Sequence, residues 1–233
     1  MPPFHFKQFS IAHDRCAHKV GTDGVLLGAW IEGENPQHIL DVGTGSGLIA
    51  LMLAQRFPKS KITGIELDQP SAEQANENAA NSPFSNRMEI INDDFLTHAF
   101  TENFDLIVSN PPFFKGNTSS GKTERDRARH EEYLPQNKFL EKAATLLSPK
   151  GKLAVILPKE EAQEFISLAE TFSLFLSRLT KVYGRPGAED KRWLVEVGFG
   201  KIDISKNAFI LRNEDANYSA EYRDLTKDFH LEF

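Results

Sequence analysis

Ile39-Leu40-Asp41-Val42-Gly43-Thr44-Gly45-Ser46-Gly47-Leu48-Ile49-Ala50 is the stretch that decides the fold of this 233-residue chain. It reads as a short buried strand, a glycine turn and the first turn of an apolar helix. Glycine takes backbone angles closed to other residues and lets a ligand approach the main chain. The helix behind it presents unpaired N–H groups and a positive dipole end. The spacing is G-x-G-x-G, distinct from the dinucleotide pattern G-x-G-x-x-G. A strand-to-helix turn also carries glycines for packing alone, so the surroundings bear the weight. Glu66 closes the next strand-like run, Ile62–Glu66, nineteen residues after Gly47. An acid at that place can accept both hydroxyls of a ribose. Asn110-Pro111-Pro112-Phe113 then follows a later strand.

Outward from this stretch the pattern alternates. Strands are expected at 39–42, 62–66, 88–92, 104–109 and 153–157, and two β-rich runs follow at 179–183 and 193–199. Leu106-Ile107-Val108 is a near-continuous apolar run, typical of a strand buried on both faces. Helical spacing marks about 47–57, 71–80, 138–147 and 159–172, with Pro70 suited to a first turn and Ser148-Pro149-Lys150-Gly151 ending one helix. Lys19–Trp30 reads as a loop leading into a helix, with Thr22 as N-cap and Asp23 in the first turn. Alternating strands and helices imply an α/β, doubly wound, mostly parallel seven-stranded sheet with an antiparallel edge hairpin. Without repeats or linkers, residues 1–233 read as one domain, with 1–38 an N-terminal extension packed on the core.

Composition narrows the functions. One cysteine, Cys16, excludes an internal disulfide and fits a reducing compartment. The N-terminus shows no basic-then-apolar leader, and the longest apolar runs are too short for a bilayer, so a cytoplasmic protein is expected. A net charge of −6 argues against indiscriminate nucleic-acid binding but leaves room for a local basic patch. His13, Cys16 and His18 lie close together, yet no cysteine pair or second cluster completes a zinc set, and no metal is expected.

The strand, glycine turn and helix, the acid at 66 and the NPPF motif together resemble class I S-adenosylmethionine (SAM) methyltransferases of Rossmann-like fold, within the group that methylates amino nitrogens. In open α/β sheets ligands bind beyond the carboxyl ends of the strands. That rim collects Asp41, Gly43, Gly45 and Gly47; Glu66 and Leu67; Asp94 and Phe95; and Asn110. Asp41 would orient the glycine loop or reach the cofactor's amino group through water. Asp94 would accept from the adenine amino group, with Phe95 against the ring. Lys19, Thr22 and Asp23 would line the methionine end.

Asn110, Pro111, Pro112 and Phe113 carry the catalytic expectation. An exocyclic amine of adenine is a poor nucleophile because its lone pair is delocalised into the ring. The Asn110 side-chain carbonyl and the Pro111 backbone carbonyl can each accept one amine hydrogen and free that lone pair. Consecutive prolines hold the acceptors rigid, and Phe113 offers a face for stacking the base. Lys122, Arg125, Arg127 and Arg129 follow Phe113 by nine to sixteen residues across a Gly/Ser-rich segment, which suits phosphate contact.

The likeness runs further. Phe6-Lys7-Gln8-Phe9, Ala12-His13-Asp14-Arg15-Cys16-Ala17, Lys19–Gly24, Leu51–Arg56, Arg125-Ala128-Arg129, Asn217-Tyr218-Ser219 and Tyr222-Leu225-Thr226-Phe229 resemble the bacterial tRNA-valine adenine-N6 methyltransferases over nearly the whole chain. The resemblance implies SAM as cofactor, a valine tRNA as substrate, the adenine 3′ of the anticodon as target, no membrane and no obligatory protein partner. The family often has Tyr where this chain has Phe113. Enzymes that methylate a release-factor glutamine share the chemistry at Asn110, but they carry a sizeable N-terminal recognition domain, whereas 38 residues precede Ile39 here. A SAM- or RNA-binding protein without catalysis would be free to lose Asn110.

Overall fold

The computed structural model describes residues 2–16, 19–33, 35–111 and 134–232. A small antiparallel pair, β1 (Phe4–His5) and β2 (Ser10–Ile11), precedes helix α1 (Thr22–Trp30). The main body then alternates: β3 (His38–Val42), α2 (Leu48–Arg56), β4 (Lys61–Glu66), α3 (Gln69–Ala80), β5 (Met88–Asn92) and β6 (Phe104–Ser109). After residue 133 come α4 (Gln136–Leu146), β7 (Leu147–Pro158), α5 (Lys159–Ala169), β8 (Leu174–Tyr183), β9 (Asp190–Phe199), β10 (Ser205–Ile210) and α6 (Ala220–Thr226).

The strands form one eight-stranded sheet in the order β10-β8-β9-β7-β6-β3-β4-β5. All neighbours are parallel except β9, which runs antiparallel to β7 and β8. The doubly wound expectation holds, with one strand more than the seven expected. The β8–β9 hairpin is accordingly covered on its outer side by β10 instead of forming the edge. The pattern of β10 explains the omission: of Ser205-Lys206-Asn207-Ala208-Phe209-Ile210 only Phe209 is buried, so no alternation marks it. An edge strand needs one partner and little apolar content.

Strand residues alternate between two cores, as a period of two requires. Ile39, Leu106, Val108, Ala154 and Ile156 face α1, α2 and α6. Leu40, Val42, Ile107, Leu153, Val155 and Leu157 face α4 and α5. Helix α1 is buried from Gly24 to Trp30, so it is a core element that the chain enters from a polar N-terminus. Thr22 is its first residue and not its cap; Gly21 holds the cap position without a side-chain bond. The predicted Ser148–Gly151 turn lies inside β7, where the pairing jumps from Phe104↔Leu147 to Leu106↔Lys152. A Cβ on Gly151 would sit 2.7 Å from the Phe104 carbonyl oxygen, which accounts for glycine there.

Candidate active site

The chain leaves β3 outward through β4 and β5, then returns to place β6 on the other side of β3. The carboxyl ends of β3 and β6 therefore flank the point where strand order reverses, the usual ligand crevice of such sheets. The final rung between them is Val42↔Ser109. Buried Ser109 donates its hydroxyl to the Val42 carbonyl at 2.8 Å and locks that rung. The next residues on each side are Gly43 and Asn110. The glycine loop and the acceptor motif thus share one rim by register.

Gly43, Gly45 and Gly47 have φ of 68°, 56° and 81°, the left-handed region that penalises side chains. Among the described residues, a Cβ on Gly43 or Gly45 would meet nothing within 4 Å, so the loop turns a bare backbone away from them. Gly47 instead packs towards Ala75 of α3, at 3.5 Å from its would-be Cβ. Glu66 holds the loop from β4: one carboxylate oxygen accepts from Gly45 N–H at 2.9 Å, the other from Asp68 N–H at 3.0 Å. Burial raises its pKa, opposed by those two hydrogen bonds. Beside it Leu67 is 46% exposed, an apolar side chain presented at the rim.

Asp41 lies beneath the loop, 1% exposed. Its Oδ2 accepts from the Thr44 hydroxyl at 2.6 Å and from Ala50 N–H at 3.1 Å. Its Oδ1 is buried with no hydrogen-bond partner among the described residues. Burial pushes its pKa up to about 7, against the pull of those two donors, and the nearby Glu66 adds to the rise.

Asn92 fixes the third strand to the second, donating to the carbonyls of Glu66 and Leu67 at 2.9 and 3.2 Å. Asp94 is half-buried and accepts from Leu96 N–H at 2.8 Å through one oxygen. Phe95 departs from expectation. It is 5% exposed and packs 5.6 Å, centroid to centroid, from Phe139, so its ring sits in the core.

Asn110 is half-buried, and no hydrogen bond engages its side chain among the described residues. A Cβ on Gly24 would stand 3.8 Å from its Nδ2 and 3.0 Å from Leu48. Glycine at 24 therefore lets the N-terminus of α1 close against Asn110. The polar residues of that turn are spent inside the protein. Asp23 pairs with Arg192 Nε at 2.9 Å. Lys19 donates to the carbonyls of His13, Asp14 and Cys16, at 2.8, 3.3 and 3.3 Å, so it braces its own loop. Thr22 is half-buried beside them. His13 accepts from Val20 N–H at 3.0 Å, a structural role, while His18 lies outside the described residues. So do Pro112, Phe113, Lys122, Arg125, Arg127 and Arg129. Among the described residues no His, Cys, Asp and Glu cluster could hold a metal ion, and no helix is long and apolar enough to cross a membrane.

Asn78 was not foreseen as part of the site. Buried on α3, its amide accepts from Ala12 N–H at 3.0 Å and donates to the Ala12 and Ser46 carbonyls, both at 2.8 Å. It ties the N-terminal strap to the glycine loop. The signal available was a polar residue three positions after Ala75, on the alanine face of the helix.

The residues fit SAM: an open glycine cradle, an acid at the end of the second strand, an apolar side chain beside it, and an orphaned carboxylate oxygen under the loop. Fold and site define a class I SAM-dependent methyltransferase. The chain belongs to the methyltransferase small domain family, whose profile it matches over residues 16–178. It is similar to the tRNA1(Val) (adenine(37)-N6)-methyltransferase of Porphyromonas gingivalis, at 47% identity over 97% of this chain and 94% of the relative. The enzymes of the same name from Bacteroides thetaiotaomicron and Trichodesmium erythraeum are 41% and 44% identical, each over 99% of this chain and 98% of the relative. A crystal structure of a predicted O-methyltransferase from Agrobacterium tumefaciens shares the fold, with a TM-score of 0.69 at 21% identity over 89% of this chain and 96% of that one.

Proposed function

We propose that the protein, acting as one methyltransferase domain, methylates the exocyclic N6 amine of an adenine in tRNA, with the base next to the anticodon of a valine isoacceptor as the specific target. The observation that supports this most is the locked Val42–Ser109 rung, which sets Asn110 beside the open glycine loop. Relatives of this name cover nearly the whole chain.

Gly43 and Gly45 would hold SAM by their exposed backbone, Glu66 its ribose hydroxyls, and Leu67 one face of its adenine, with Asp94 at that ring's amino group. Bound there, SAM supplies an electrophilic methyl on sulfonium. Asn110 and Pro111 supply carbonyl acceptors for the two hydrogens of the target amine. That interaction strengthens as the nitrogen becomes tetrahedral, so it lowers the barrier more than it aids binding. No strong base is needed, since the methylated amine cation is very acidic and loses its proton to water. Fixing both reactants in the crevice supplies much of the acceleration.

The test is transfer of a labelled methyl from SAM to total tRNA, followed by nucleoside analysis. N6-methyladenosine confined to one valine tRNA is expected. Label only in protein glutamine, or in no acceptor, would refute the reading.

A further inference from the structure

Strands β7 to β10 bring a second set of residues to the rim that holds Asn110. Pro158 at the end of β7 pairs with Arg192, and Tyr183 at the end of β8 pairs with both Asp190 and Ile210. The β8–β9 turn and the segment after β10 therefore lie on the catalytic side of the sheet. This flank is fixed by a few buried contacts. Asp190 accepts from Lys159 and from the Trp193 indole, both at 2.9 Å, and Lys181 stands 3.7 Å away. One carboxylate thus answers two ammonium groups. Lys159 beside Asp190 holds its carboxyl below the usual range. Arg192 is clasped to Asp23, the residue preceding Gly24 that backs Asn110. The flank is therefore linked to the Asn110 side of the crevice through Asp23 and Gly24.

Beyond these anchors the cations turn outward. Arg185 and Lys191 are exposed, with no ion pair among the described residues. At the far end of the flank the Arg212 guanidinium lies 4.4 Å over the Tyr218 ring and donates to the Ala216 carbonyl at 2.7 Å. Glu160, Glu189, Glu214 and Asp215 also lie on this side, so the positive charge is a track and not a broad field. The chain carries −6 overall, so a polyanion can be gripped only along such a local track.

We propose that Lys181, Arg185, Lys191 and Arg192, continued by Arg212, form the phosphate-binding flank for the RNA strand that presents its adenine to Asn110. The proposal rests on the tRNA activity argued above. Arg192 serves both ends: its clasp to Asp23 positions α1 while its charge joins the track. Lys181 lies 5.0 Å over the Trp193 ring, which fixes it on its strand.

The experiment compares wild-type enzyme with Arg185→Gln/Lys191→Gln and with the control Lys150→Gln/Lys61→Gln. The control removes equal charge from exposed positions near the starts of β7 and β4, at the opposite end of the sheet. Affinity for valine tRNA is measured between about 50 and 200 mM salt, SAM affinity by calorimetry, and folding by melting temperature. Each phosphate contact contributes about −0.7 to the salt slope on a single strand, so the flank variant should bind roughly tenfold more weakly at low salt, with a slope shallower by about 1.4. SAM affinity and melting temperature should match wild type, and the control should keep the wild-type slope. A flank variant with wild-type affinity and slope overturns the proposal while leaving the activity intact. Equal losses in flank variant and control would also overturn it, since they would report net charge only. A wild type that neither binds nor methylates tRNA overturns the activity and this surface with it.

Discussion

Replacing Asp41 by asparagine should stabilise the protein at neutral pH while weakening its hold on SAM. The carboxyl is 1% exposed and its pKa is pushed from 3.8 to about 7. A group whose pKa is raised on folding binds more protons in the folded state throughout that interval. Stability therefore falls as pH rises from about 4 to about 7, and the penalty is complete above it. A rise of about three pH units corresponds to roughly 4 kcal/mol. An asparagine oxygen can still accept from Thr44 and Ala50, but the amide nitrogen enters the place of the unpartnered Oδ1. An unsatisfied buried donor costs about 1–3 kcal/mol, leaving a net gain on the order of 2 kcal/mol at pH 8. For a chain of this size that raises the melting temperature by about 4–8 °C. Scanning calorimetry from pH 4 to 8.5 on both proteins reads the effect. The advantage of Asp41→Asn should grow with pH, cross zero at about pH 5–6 and turn into a deficit on the order of 2 kcal/mol near pH 4, where the wild-type carboxyl is no longer penalised. SAM binding should be weaker at every pH. A stability difference that does not change with pH would refute the burial argument.

Asn110→Ala should leave SAM affinity near wild type and lower kcat by about 100-fold or more, in line with loss of a transition-state acceptor; wild-type turnover would remove Asn110 from the chemistry. Glu66→Ala removes the acceptor of Gly45 N–H as well as the expected ribose partner. SAM affinity should fall by about 1.5–3 kcal/mol by calorimetry, and undiminished binding in a folded variant would eliminate that role. Asn78→Ala frees the Ser46 carbonyl from the N-terminal strap, so KM for SAM should rise several-fold with kcat at saturation unchanged. A fall in kcat at constant KM would show that the strap acts elsewhere.

Much of this could be read from the chain. The glycine spacing at 43, 45 and 47, the acid at 66 and the asparagine at 110 each follow a strand. The rule that ligands sit beyond strand ends puts them together without coordinates. The readings that changed concern side-chain direction. Phe95 could face ligand or core, and the core took it because Phe139 and Phe100 complete an aromatic cluster there. Lys19 and Asp23 were placed at the cofactor from their charge and position, but carbonyls of the 13–16 loop and the Arg192 guanidinium lie closer to hand. Local sequence does not show which distant partner a charge will meet.

The sequence by itself determined the alternation, the order of the motifs and the kind of chemistry. These depend on residue type and short-range spacing, and both are properties of the linear chain. The tertiary structure alone decided the eighth strand, the Val42–Ser109 lock, the Asn78 tie between strap and loop, and the Asp23–Arg192 clasp that joins the basic flank to Asn110. Each of these joins residues 32 to 169 positions apart, or depends on a backbone partner supplied by another strand. Such contacts form only once both cores have closed and fixed the register of the sheet.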